Sequence, residues 1–210
     1  MTRFDIDGRT YGGSAELMDD GRVEQFVAAF PSARSVLELG SLEGAHSFSL
    51  ARRGLTVTAL EGRQANVEKA RFVQSLLGVD GVTFERADLE TASLAGFGQF
   101  DAIFCAGLLY HLRRPWRLLD SFASVAPNVL LQTHYARDAT TTSDGVPGAS
   151  YGEFGLRDPL SGLSASSFWM TLQAIEERLA AAGFQVETLE NSPEHQHGPS
   201  VTLAGRRADR

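Results

Sequence analysis

Acidic residues and glycines recur where short apolar segments of the chain end. Gly40 and Gly44 follow one such segment, with Glu38 just before them. Glycine allows a positive φ and a close approach of the backbone to a ligand. Glu61 ends the next segment, roughly twenty residues later, where a carboxylate can accept hydrogen bonds from ribose hydroxyls. With Asp88 after a third segment, these residues predict a groove for a nucleoside.

Three of the five histidines also follow the ends of predicted strands. They are His46, His111 and His134. In open α/β sheets the strand ends face the ligand crevice, and imidazole is the usual general base near neutral pH. Each histidine is therefore a candidate catalytic or binding residue. The alternative for each is that it only caps a turn or bonds a backbone carbonyl.

Two further groups have open interpretations. His195 and His197 alternate along an extended segment, but zinc or iron requires a third ligand that the sequence does not identify, so we assign no metal. Trp169, with Ser166 before it, suits the wall of a ligand pocket. A tryptophan packed into the core beneath the last helix is an equally good interpretation.

Alternating strand and helix patterns surround these residues. Strands alternating with helices of this length indicate a doubly wound α/β domain with a mainly parallel sheet. We expect one domain over residues 1–210. The predicted strands are 35–39, 55–60, 82–86, 100–105 and 129–133, and the predicted helices are 20–30, 45–53, 64–77 and one that begins at Pro115.

The C-terminal part departs from this alternation. Residues 137–150 are rich in Asp, Ser, Thr, Gly and Pro and predict a long loop, within a lid or acceptor insertion over 136–168. Thr171 is a candidate N-cap of a helix. Two strands over 184–189 and 201–205 then form an antiparallel edge pair, which gives a sheet of seven strands.

Composition excludes several classes of protein. The 210 residues include one cysteine, which rules out a disulfide framework or a cysteine-ligated metal cluster. The net charge of −7 argues against a nucleic-acid partner. No run of roughly 18 apolar residues or signal-peptide pattern is present, so we expect a soluble cytoplasmic protein without a membrane partner.

The motifs at the strand ends resemble those of class I S-adenosylmethionine-dependent methyltransferases over nearly the whole chain. The matching segments are VLELGSLEG, ALEG, ADLE and FDAIFCAGLLYHL. A bacterial subgroup is closer still, through ELGSLEGAHS, LYHL, THY and SSFWMT. The resemblance implies a Rossmann-like fold and S-adenosyl-L-methionine as cofactor. Leu42 departs from the family pattern, which has a glycine at that position.

The resemblance also implies roles for individual residues. His111 is the first choice for a general base, Tyr110 lies near the transferred methyl group, and His134 comes second, as a residue that positions the acceptor. The implied cofactor contacts are Glu38, Gly40, Gly44, His46, Glu61, Asp88, Leu89 and Cys105, and the implied acceptor contacts are Tyr135, Ser166 and Trp169.

Four functions compete at this point. Methyl transfer to a small-molecule acceptor suits a single domain with a lid, and a homodimer is compatible with it. A tRNA base-modifying methyltransferase is the second, since LYHL also resembles tRNA wobble-uridine modifying enzymes. A noncatalytic nucleoside-binding module is the third. An NAD-dependent oxidoreductase is disfavoured because only Gly40 of the three glycines in GxGxxG is present.

Overall fold

The computed structural model describes residues 1–18 and 20–207. In these ranges the strands are β1 (Arg3–Ile6), β2 (Arg9–Gly12), β3 (Ser35–Leu39), β4 (Thr56–Glu61), β5 (Val82–Arg86), β6 (Ala102–Ala106), β7 (Asn128–His134), β8 (Thr141–Ser143), β9 (Val146–Gly152), β10 (Ser166–Met170), β11 (Phe184–Ser192) and β12 (Ser200–Arg207). The α-helices are α1 (Gly21–Ala29), α2 (Ala45–Arg52), α3 (Gln64–Leu77), α4 (Pro115–Ser121) and α5 (Leu172–Ala181). No helix in the described part of the chain is long and apolar enough to cross a membrane.

A seven-stranded sheet in the order β11-β12-β7-β6-β3-β4-β5 forms the centre of the fold. Five neighbouring strands, from β7 to β5, run parallel, and β12 pairs antiparallel with both β7 and β11. This confirms the predicted doubly wound sheet with its antiparallel edge pair. The chain runs outward from β3 to β5 and then returns to β6, so a crevice opens between the carboxyl ends of β3 and β6.

Helices cover both faces of this sheet because successive strand residues point to opposite sides. On β3, Val36 packs in the apolar cluster beneath α1, α2 and α3, whereas Leu37 packs in the cluster beneath α4 and α5. Thr171 caps α5 as predicted, since its side-chain oxygen accepts a hydrogen bond from the Ala174 amide at 3.2 Å. The predicted pattern thus places the core on both sides of a buried sheet.

Two hairpins depart from the predicted elements. β1 and β2 form an N-terminal hairpin, and β8 and β9 form another over 141–152, so the prediction of one long loop over 137–150 was wrong. Each hairpin turns at an Asp-Gly pair with positive φ, at Asp7 and Gly8 and at Asp144 and Gly145. Asp-Gly suits the tight turn of a two-residue hairpin, so the sequence contained this signal. The role of 136–168 as a lid stays a prediction.

Candidate functional site

A cavity of about 310 Å³, here called the first cavity, opens at the carboxyl ends of β3, β4, β5 and β6. It lies at the crevice where the sheet reverses direction, as α/β architecture leads one to expect. Polar and apolar residues from all four strand ends meet there. The predicted residues in its wall are Gly40, His46, Glu61, Asp88, Leu89, Tyr110 and His111.

The Glu61 carboxylate is a buried, hydrogen-bonded charge in this wall. It is 8% exposed and accepts hydrogen bonds from the Leu42 amide at 3.0 Å and the Arg63 amide at 2.8 Å. The side-chain amide of Asn66 lies 3.4 Å away. Burial raises the pKa of Glu61, although the two backbone donors oppose the shift. Since a carboxylate can accept about four hydrogen bonds, Glu61 keeps capacity for a hydroxyl donor in the cavity.

The turn between β3 and α2 explains how Leu42 replaces the expected glycine. Leu42 adopts a left-handed conformation with φ of 50°, which directs its amide to Glu61. Gly40 has φ of 78°, and a Cβ there would lie 3.1 Å from Leu108. At Gly44, φ is 87° and a Cβ would meet the Phe84 ring at 2.7 Å, away from the cavity wall. Gly44 is therefore required by packing.

Two predicted cofactor contacts lie beneath the cavity instead of in its wall. Glu38 is 1% exposed and accepts a hydrogen bond from the Ser47 hydroxyl. Burial raises the pKa of Glu38 to about 7, although the hydrogen bond from Ser47 opposes the rise. The nearby charge of Glu61 raises this pKa further. Cys105 is fully buried, which raises the pKa of its thiol to about 12. Both side chains support the floor of the first cavity.

An ion pair that sequence reasoning missed lies beside His46. Nε2 of His46 is 3.3 Å from Oδ2 of Asp20, which also binds the guanidinium of Arg22. Burial alone raises the pKa of Asp20, but Arg22 and His46 hold it well below its usual range. Nη1 of Arg22 also donates a hydrogen bond to Oε1 of Gln132 at 3.0 Å. This chain of contacts joins α1 to the end of β7.

Tyr110 separates the first cavity from a second one. The second cavity, also about 310 Å³, lies at the end of β7 and beside β11 and β12. Arg22 and Tyr110 belong to both walls. The remaining residues in the wall of the second cavity are Gln132, His134, Glu190, Ser192, His195, Ser200, Val201 and Thr202.

His134 is held in one orientation at this second cavity. Its Nδ1 lies 3.0 Å from the Gly198 carbonyl and 3.2 Å from the Pro199 carbonyl. Because a carbonyl oxygen only accepts, Nδ1 carries the hydrogen and Nε2 of the neutral ring is an acceptor. The Trp169 ring stacks on His134 at 5.2 Å, and the Tyr110 ring lies 4.7 Å away, edge-on. Burial lowers the pKa of His134, which favours the neutral form.

Four other residues singled out from the sequence lie outside the walls of both cavities: Tyr135, Ser166, Trp169 and His197. Tyr135 is buried and donates its hydroxyl to Oδ1 of Asn191 at 3.0 Å, and Ser166 is exposed on β10. The rings of His195 and His197 lie 5.6 Å apart. Across residues 1–18 and 20–207, no three His, Cys, Asp or Glu side chains form a group suited to a metal ion.

Residues 155–163 are here called the strap; residues 159–163 of it line the first cavity, and Arg63 binds several of its carbonyl oxygens. The Arg63 guanidinium donates to the carbonyl oxygens of Gly155, Asp158 and Ser161 at 2.8 to 2.9 Å. It also donates to the Gly162 carbonyl at 3.2 Å and, through Nη1, to the Leu156 carbonyl at 3.4 Å. A planar cation with several fixed donors suits such a set of carbonyls.

Glu153 joins the strap to His111. Its Oε1 lies 2.9 Å from Nδ1 of His111, and its Oε2 accepts a hydrogen bond from the Gly162 amide at 3.2 Å. Burial opposes ionisation of Glu153, but the His111 contact lowers its pKa overall. Sequence reasoning missed Arg63 and Glu153 because their partners are far away along the chain.

Sequence comparison identifies a methyltransferase domain over residues 37–128. One curated relative, a ubiquinone biosynthesis O-methyltransferase from Psychrobacter cryohalolentis, is 31% identical over 99 residues. That alignment covers 46% of this chain and 38% of the relative. The chain therefore spans well under half the length of this curated relative.

Structure comparison extends the similarity to nearly the whole chain. The N-terminal domain of EvdMO1, crystallised in the presence of SAH and D-fucose, superposes with a TM-score of 0.88 at 36% identity. The match covers 98% of this chain and 90% of that one. Magnesium protoporphyrin IX methyltransferase from Synechocystis, with SAH bound, has a TM-score of 0.66 at 18% identity, covering 94% and 90% of the two chains. The second match shows a shared fold.

Replacing Arg63 by alanine is expected to release the strap. Several carbonyl oxygens lose a charged donor together, so local opening becomes easier. We expect chymotrypsin to cleave at exposed Phe154, Leu156 or Leu160 at least tenfold faster, as followed by mass spectrometry. Arg157→Ala, which removes an exposed guanidinium from the strap itself, is the matched control. Equal cleavage of Arg63→Ala and the unaltered protein would contradict this role.

Replacing Glu38 by glutamine is expected to change how stability depends on pH. The pKa of Glu38 is about 7 in the folded protein against an ordinary value of 4.5, so the folded state binds the proton more tightly. Protonation of Glu38 therefore adds fully to the free energy of unfolding below pH 4.5, and this stabilisation is lost as the pH rises to about 7. The loss amounts to roughly 3 kcal/mol.

Urea unfolding between pH 4.5 and 8 measures this effect. Glu38→Gln, which stays neutral, should lack that part of the decline and should become more stable than the unaltered protein at pH 8. Glu85→Gln, at an exposed position on β5, is the control and should follow the unaltered protein. Parallel curves for Glu38→Gln and the unaltered protein would show that Glu38 titrates normally.

Proposed function

Because the chain belongs to the class I S-adenosylmethionine-dependent methyltransferases, we propose that it transfers a methyl group to a small-molecule acceptor bound beside Tyr110. One observation carries this proposal: Tyr110 lies in the walls of two cavities with different chemistry. The wall of the first contains the Glu61 carboxylate, which suits the ribose of a nucleoside. The wall of the second contains the His134 imidazole, which is held in one orientation. The first cavity would hold the cofactor and the second the acceptor.

The residues of the first cavity fit the cofactor. S-Adenosylmethionine supplies an electrophilic methyl group on a sulfonium sulfur. Glu61 would accept hydrogen bonds from the ribose hydroxyls, with Asp88 and Leu89 on the adenine side and His46 toward the methionine end. The cavity volume of about 310 Å³ lies within the usual range for small-ligand sites. The strap, held by Arg63, would exclude water from this part of the site.

The second cavity supports a small acceptor. It is bounded by β7, β11 and β12 and by the Tyr110 ring, and it has a volume of about 310 Å³. The net charge of −7 offers no general attraction to a phosphate backbone. The presence of D-fucose with the related EvdMO1 domain also supports a small molecule. We therefore favour a metabolite over an RNA base.

We assign the general base to His134, which reverses the order that the sequence suggests. His111 lines the first cavity, and Glu153 binds its Nδ1. His134 lines the second cavity, with Nδ1 held by carbonyls and Nε2 available as an acceptor. His134 would accept, at Nε2, the proton that the acceptor hydroxyl or amine loses on methylation, with S-adenosylhomocysteine as the leaving group. His111 and Glu153 instead hold the strap over the cofactor.

Replacing Glu61 by glutamine should weaken cofactor binding. The variant loses a charge-assisted hydrogen bond to ribose, which is worth roughly 1 to 3 kcal/mol, or about fivefold to 150-fold in Kd. Calorimetric titration with S-adenosylhomocysteine measures the change, and Glu85→Gln serves as the control. A thermal melt of each variant separates loss of binding from loss of folding. An unchanged Kd in folded Glu61→Gln would remove this carboxylate from the cofactor site.

Glutamine variants of the two histidines separate their roles. His134→Gln should lower the rate of labelled methyl transfer from S-adenosylmethionine into a bacterial small-molecule extract by roughly 10² to 10⁴. Its cofactor Kd should change less than threefold. His111→Gln should mainly weaken cofactor binding, because the contact with Glu153 and the strap is lost. The reverse pattern would return the general base to His111, and no transfer by the unaltered protein would contradict the proposed function.

A further inference from the structure

From the side chains of the second cavity we infer that the acceptor is a neutral molecule with several hydroxyl groups, of the carbohydrate type. This inference rests on the proposed function, because it names the acceptor of that same site. Most of the side chains in this wall can form hydrogen bonds. Apart from Val201 and the Tyr110 ring, the residues that line it carry hydrogen-bonding side chains.

The charges in this wall balance. Arg22 is the cation there, and its guanidinium is already paired with the carboxylate of Asp20. Glu190 is the carboxylate in the wall, and its Oε2 accepts a hydrogen bond from Gln25 at 3.0 Å. An anionic acceptor would be repelled by Glu190, and Arg22 is not free to bind it because its charge is paired with Asp20. A neutral acceptor avoids this repulsion.

The side chains that line the second cavity include both donors and acceptors. Oε1 of Gln132 accepts from Arg22, so its NH₂ group is the part left to donate. His134 presents Nε2 as an acceptor, because Nδ1 donates to backbone carbonyls. His195 accepts at Nδ1 from the His197 amide at 3.2 Å, which makes its Nε2 a donor in the neutral ring. A hydroxyl group matches such a mixed wall because it both donates and accepts.

Hydroxyl side chains complete the wall on its other side. Ser192, Ser200 and Thr202 come from β11 and β12, and each can donate or accept as its partner requires. An apolar or purely aromatic acceptor would leave these groups without partners, which lowers affinity. A single hydroxyl group on the acceptor would form a hydrogen bond with His134 only. Several hydroxyls on one small ring would satisfy the opposing walls together.

The experiment measures probe binding to the complex with S-adenosylhomocysteine by saturation-transfer NMR. The neutral probes are D-glucose, D-galactose and D-mannose. The comparison probes are D-glucuronate, D-glucosamine and catechol, which are anionic, cationic and aromatic. We expect at least one neutral sugar to bind more tightly than all three comparison probes. Calorimetry on the same samples establishes that S-adenosylhomocysteine is bound.

Variants link the binding to this cavity. Gln132→Leu and Thr202→Val should each weaken neutral-sugar binding at least tenfold while S-adenosylhomocysteine binding persists. Gln185→Leu and Thr188→Val make the same chemical changes on β11 outside the cavity wall and should bind as the unaltered protein does.

The outcomes separate the two proposals. Failure of S-adenosylhomocysteine to bind would contradict the proposed function itself. With S-adenosylhomocysteine bound, tighter binding of catechol or of a charged sugar, or no binding of any neutral sugar, would overturn the inferred acceptor class alone. Unchanged sugar binding in both Gln132→Leu and Thr202→Val would do the same.

Discussion

The buried carboxylate of Glu61 determines how the candidate cofactor cavity is built. It accepts amide hydrogen bonds from Leu42, in the turn after β3, and from Arg63, at the start of α3. A buried charge is costly unless it is hydrogen-bonded, so these two segments must converge on it. The same Arg63 extends its guanidinium to the carbonyls of the strap. The floor and the roof of the first cavity thus depend on neighbouring residues at the end of one strand.

Tyr110 divides this arrangement into two chemical environments. On one side, backbone turns and acidic strand ends suit a nucleoside. On the other, amide, imidazole and hydroxyl side chains suit a polar acceptor. The Tyr110 ring packs against both His111 and His134, at 4.2 and 4.7 Å. One residue in the short segment after β6 therefore lies between the proposed cofactor cavity and the proposed acceptor cavity.

Local patterns in the sequence predict most of the sheet and part of the site. The helix over Gln64–Leu77 and the strand over Val82–Arg86 have their predicted bounds, because apolar periodicity and flanking glycines determine them. The place of Glu61 at the crevice could be predicted because its strand and its spacing are local features, and its role there stays a prediction. Arg63 and Glu153 were not, since their partners come from segments that only the folded chain brings together. The choice between His111 and His134 as the general base also depends on which cavity each one lines, and only the folded chain shows this.

A crystal structure of the complex with S-adenosylhomocysteine tests the central claim most directly. We expect both ribose hydroxyls within hydrogen-bonding distance of the Glu61 carboxylate, with the sulfur atom beside Tyr110 and the strap closed over the adenosine. A nucleoside bound elsewhere on the protein, or a ribose that makes no contact with Glu61, would contradict it.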